Sequence, residues 1–129
     1  LEGRFTQLKQ VTDYVSQLKK NQPLYGSHEI APLIALMTNK KLLANHIDTN
    51  AQLFASGVLN KQQISQQATQ TGVYLLTKVA NIPQNPNLDT GYQGYFDQKI
   101  FEKKCQRLEI IEGASYELFD DIAIYDCQN

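Results

Sequence analysis

The chain has 129 residues, 42% of them hydrophobic and 19% charged, with a net charge of -1, two Cys, one Met and no Trp. That length suits one domain able to bury a core of its own, and the near-neutral charge excludes a global basic field for binding a nucleic-acid backbone. No apolar stretch approaches the ~20 residues of a transmembrane helix, so no membrane span is expected in this segment.

The chain opens on Leu1-Glu2-Gly3-Arg4, which looks like the recognition end of a factor Xa-type protease site. Residues 1–4 are therefore set apart as a tag or processing remnant, leaving 5–129 as a single α+β domain. With no initiator Met and no charged region leading into an apolar one, the expectation is that a signal peptide, an anchor or a further domain preceded Leu1. Phe5, Leu8, Val11, Val15 and Leu18 then recur at steps of three and four, the stripe of an amphipathic helix running to Lys20. Asn21-Gln22-Pro23 should end it, because proline disfavours helical geometry in the residue before it. Leu24-Tyr25-Gly26-Ser27 reads as a connector.

Residues 28 to 60 read as short helices separated by polar punctuation. Ile30, Leu33, Ile34 and Met37 form one apolar face, Leu42, Leu43 and Ile47 a second, and Asp48-Thr49-Asn50 caps a third piece carrying Leu53 and Phe54. Asn60 followed by Gln63 resembles a capping box. The helix behind it is predicted to carry Ile64, Ala68, Gly72, Leu75, Leu76 and Val79 on one face. Asn81 to Gly94 has the composition of a loop. Tyr95, Phe96, Ile100 and Phe101 fit either a short helix or a first strand. Cys105 to Glu112 and Tyr116 to Cys127 are the strand candidates, turning at Gly113-Ala114-Ser115, and a second turn at Asp120-Asp121 would convert the hairpin into a three-stranded meander. The predicted fold is α+β, with a helical N-terminal two-thirds packed on a small C-terminal antiparallel sheet tied by one disulfide.

That disulfide is Cys105–Cys127. Two cysteines facing each other on antiparallel strands have Cα atoms ~4.5–5.5 Å apart, a separation that a disulfide bridges with little strain. The bond implies an oxidising compartment, either periplasmic or extracellular. Charge is unevenly spread around it: Arg107 alone of the 12 basic residues follows position 104, against Glu109, Glu112, Glu117, Asp120, Asp121 and Asp126. A solvated strand face explains such residues, and a docking patch for a basic partner is the sharper reading. Tyr92 and Tyr95, in or beside the Gly-rich loop, suit the same patch, because Tyr supplies contact area at little rotamer cost. Core packing is the alternative for that pair.

Catalytic signals are weak. His28-Glu29 and His46 with Asp48 offer zinc-ligand chemistry, but their spacing matches no helix-borne metal motif. None of Ser16, Ser27, Ser56, Ser65 and Ser115 sits in a Gly-x-Ser-x-Gly elbow. Cys105 can serve as a nucleophile beside His28 or His46 only if it is not in a disulfide. Paired carboxylates among Glu109, Glu112, Glu117, Asp120 and Asp121 are an enzyme's remaining option. No catalytic residue, metal or cofactor is assigned.

The leading expectation is therefore an exported, non-enzymatic protein-interaction domain of the inhibitor, immunity-protein or envelope-adaptor kind, with a protein partner of basic surface and no nucleic acid. A small extracytoplasmic hydrolase is one alternative. The other rests on layout: a leading amphipathic helix and a C-terminal disulfide loop resemble the truncated ectodomain of a type IV pilin or pseudopilin. The resemblance implies a structural subunit with an apolar helix upstream. It covers those two features only, since residues 28 to 80 read as helix where that family lays down its main sheet.

Overall fold

Side chains of the two central strands point alternately to the two faces of the sheet, and the described residues form an apolar cluster on each face. The computed structural model describes residues 2–43, 60–79, 89–113 and 121–129. In chain order the elements are α1 (Glu2–Ser16), β1 (Leu24–Gly26), α2 (Ala31–Thr38), α3 (Lys61–Thr71), β2 (Val73–Val79), α4 (Gln98–Lys104), β3 (Cys105–Ile111) and β4 (Asp121–Cys127). The strands form one sheet in the order β1-β2-β4-β3, with β1 parallel to β2 and the other two pairings antiparallel.

In the central strands, Tyr74, Leu76, Ile122 and Ile124 point to one face, where α1 and α2 cover them with Val11, Val15, Ile30 and Ile34. Val73, Leu75, Val79, Ala123, Tyr125 and Cys127 point to the other, beneath Ile64 and Ala68 of α3, Phe96, and Phe101 of α4. Burial on both faces is why β2 and β4 read as near-continuous apolar runs.

Two expectations are corrected. The sheet is mixed, because the segment read as a connector supplies β1, whose Leu24, Tyr25 and Gly26 pair in parallel with Tyr74, Leu75 and Leu76. Helix is also not confined to the first two-thirds: β2 lies there, and α4 lies beyond it. The helix expected to run through Val79 stops at Thr71. Gly72 adopts φ 85° with its N–H bonded to the Ala68 carbonyl, a backbone turn that releases Val73 into the sheet. At the other end of α3, Asn60 accepts a hydrogen bond from the Gln63 N–H at 3.1 Å, as the capping-box pattern predicts.

α1 ends at Ser16, earlier than its apolar stripe, and single tight turns carry the chain on through Leu18, with the Leu18 N–H bonded to the Val15 carbonyl. α2 ends where Asn39 enters the left-handed region at φ 56°. The Lys40 ammonium then donates to the Leu18 and Lys19 carbonyls, at 3.1 and 2.8 Å, tying the end of α2 to the segment after α1. The second and third apolar faces predicted for 28–60 involve Ile47, Leu53 and Phe54, and the meander turn involves Asp120; all four lie outside the described residues.

Candidate functional site

β3 is the outer strand at one edge of the sheet, and three features position it. α4 leads directly into it; Asp97 starts that helix by accepting from the Ile100 N–H at 3.1 Å, while its own N–H donates to the Ser65 hydroxyl of α3. Cys105 and Cys127 face each other in the β3–β4 register, joined by a disulfide with a Cα separation of 4.1 Å. Between Arg107 and Glu109 the register shifts through a bulge, which turns the outer residues of the strand relative to one another.

Beside the bulge sits a polar cluster that the pattern of apolar residues does not signal. The buried Tyr125 hydroxyl donates to one carboxylate oxygen of Asp89 at 2.6 Å. The Gly91 N–H donates to the same oxygen at 2.9 Å, and the Arg107 guanidinium donates to the other at 3.3 Å. Burial, and then the hydrogen bond and charge of Asp89, push the Tyr125 phenol upward, so it stays neutral and serves as a donor. Thr77, 1% exposed and on the same face of β2, adds its hydroxyl to the cluster and acts on the Tyr125 phenol in the opposite, weaker sense. A carboxylate holding three donors is a latch: it fastens the start of the 89–96 segment to the sheet. Gly91 is required there because a Cβ would collide with the Tyr125 ring and hydroxyl.

That latch fixes where the expected partner-binding residues stand. Tyr92 is half-buried, its ring 5.6 Å from that of Phe101. Tyr95 is also half-buried, edge-on to Tyr25 at 6.2 Å, and its carbonyl accepts from the Tyr25 hydroxyl at 2.7 Å. Both contribute part of their surface to the core. Glu109 and Glu112 are exposed. Glu109 pairs with Ile124, whose side chain lies on the α1 face, and burial, followed by the charge of Glu109, raises the Tyr14 phenol of α1. Asp121 is half-buried and accepts from the Gly113 N–H at 3.1 Å, whereas Glu117 and Asp120 lie outside the described residues. Tyr92 thus packs on Phe101 of α4, and Tyr95 packs on Tyr25 of β1 at the other end of the sheet from β3. Glu109 stands over the α1 face, so the expected residues are not brought together in one patch.

The other candidates are spread more widely. His28 is exposed, its Nε2 3.9 Å from Glu29, which also pairs with Lys78 across to β2. His46 and Asp48 lie outside the described residues. Between α3 and α4 runs an open groove of about 470 Å³ lined by Gln66, Thr69, Gln70, Ile100, Lys104 and Asn129. The expected partner surface joins the 89 to 96 loop, which includes Asp89, with the acidic hairpin, which includes Arg107, but their meeting with Tyr125 was not foreseen. Asp89-Thr90-Gly91 is a recognisable Asx-turn sequence, and Arg107 is the lone base in an acidic tail, so a signal for part of the cluster was present.

Comparison with known proteins returns no matching family model, no matching curated protein and no matching solved structure.

Proposed function

We propose that this chain is an exported, non-enzymatic protein-interaction domain whose partner surface is the outer edge of β3 with the Asp89 end of the 89–96 segment beside it. The observation that carries this reading is the form of that edge. One end of β3 is locked to β4 by the disulfide, while Gln106, Arg107, Glu109 and Glu112 stand exposed along it. The bulge and the charges oppose the addition of another strand through the backbone, leaving side-chain recognition as the means of contact. Glu109 and Glu112 favour a partner of basic surface. The disulfide favours an extracytoplasmic location.

The test places a photo-crosslinking residue at Gln106 or Glu112 in the protein expressed in its native compartment, with Gln62 on α3 as the control position. A discrete protein adduct from the edge positions, lost when Glu109 is changed to Lys, is the expected result. Adducts of equal yield from Gln62, or none from the edge, would reject this surface.

A further inference from the structure

We infer that the outer face of α2, with the lysines gathered beside it, is a docking surface for an anionic lipid membrane. Leu36 is 81% exposed, Met37 52% and Leu33 39%, and these are the large hydrophobic residues left exposed among the described residues. Their spacing puts all three on one side of α2, while Ile30, Ile34 and Ala35 hold the opposite side to the core. An eight-residue helix that is apolar on both sides, with one side in water, is marked as a contact surface.

A basic rim adjoins it. The Met37 sulfur lies 3.8 Å from the Thr12 hydroxyl, where the face borders α1 and its exposed Lys9–Asp13 pair. The Lys40 bonds to the Leu18 and Lys19 carbonyls draw Lys19 and Lys20 to the end of α2 next to Lys41, and all three of these lysines are exposed. Burial, followed by the nearby charge of Lys20, lowers the Lys40 ammonium.

The size of the face selects its occupant. A stable protein interface buries about 800 Å² from each partner, well beyond what three side chains on a two-turn helix provide. A bilayer needs less: a few apolar side chains entering the acyl boundary, with lysines adding their attraction to the phosphates one by one. The arrangement is also compatible with the protein-interaction edge, on which it does not depend. α2 packs over β1, at the opposite end of the sheet from β3, so a membrane bound at α2 leaves the acidic edge directed away from it.

The experiment is flotation of the full chain with vesicles of phosphatidylcholine, alone or mixed with phosphatidylglycerol, at low and high salt. Binding to the mixed vesicles that weakens with salt is expected, about tenfold weaker for Leu36→Asp and for Lys19→Glu with Lys20→Glu. Circular dichroism checks that the variants keep their fold, as substitutions at exposed positions should. Absence of binding to either vesicle, equal binding to both, or wild-type binding by folded Leu36→Asp overturns the proposal. A dimer in sedimentation that Leu36→Asp dissolves would instead give this face to a second copy of the chain.

Discussion

The contacts around Tyr125 show how much depends on individual side chains. Its hydroxyl is one of three donors on Asp89, so Tyr125→Phe leaves the carboxylate with Arg107 and the Gly91 N–H. A loss of about 1–2 kcal/mol in urea denaturation is expected, with faster amide exchange at Gly91. Gly91→Ala should cost more, about 3 kcal/mol or above, because the added methyl meets a buried ring that has little room to move. Alkaline pH probes the same core. Burial raises both Tyr25 and Tyr125 above the ordinary phenol value, while in the unfolded chain they ionise near pH 10. Their stabilisation is fully present below that pH and is lost progressively above it, by at most about 1.4 kcal/mol per tyrosine per pH unit. Urea midpoints from pH 8 upward should fall beyond about pH 10, and Tyr25→Phe should flatten the fall. The positions of Tyr92 and Tyr95 were only half legible, because tyrosine suits a core and a surface equally, and here each does some of both.

At the scale of elements, what could be read depended on whether local chemistry or tertiary burial decided the outcome. The α3 N-terminus was legible because Asn60 and Gln63 meet within one turn, and Asn60→Ala should lower stability by about 1 kcal/mol, read as a shift in the thermal midpoint. The β2 strand was not. Leu75, Leu76 and Val79 extend the helical spacing of Ile64 and Ala68, and only the turn at Gly72 and coverage of both sheet faces convert that run to period two. The three-residue β1 has no pattern of its own, and its pairing with β2 decides it. The β3–β4 disulfide, by contrast, could be anticipated from two cysteines in facing strand segments. Closing a loop of sequence separation 22, it should contribute about 3 kcal/mol, seen as the difference between denaturation of the oxidised protein and of Cys105→Ser with Cys127→Ser.

For the whole molecule, helices on both faces leave the sheet with two kinds of boundary to the solvent. On the β1 side, Leu24 bridges in parallel to Leu42, and α2 presents its apolar outer face beside Lys19, Lys20 and Lys41. On the β3 side are the bulge, the carboxylates of Glu109 and Glu112, and the disulfide. The uneven charge along the chain was apparent from the sequence, but the placing of Lys19, Lys20 and Lys41 at one end of the sheet and of Glu109 and Glu112 at the other, beside Lys103, Lys104 and Arg107, was not, because the order β1-β2-β4-β3 depends on long-range pairing. The protein-interaction reading of the β3 edge rests on a domain that works outside the reducing cytoplasm, and the state of its two thiols tests that requirement most directly. The protein would be taken from its native compartment, alkylated with and without prior reduction, and weighed intact. Label on Cys105 and Cys127 only after reduction, in a monomeric chain, is the predicted result; label on both without reduction would contradict the exported, disulfide-tied domain proposed for this chain.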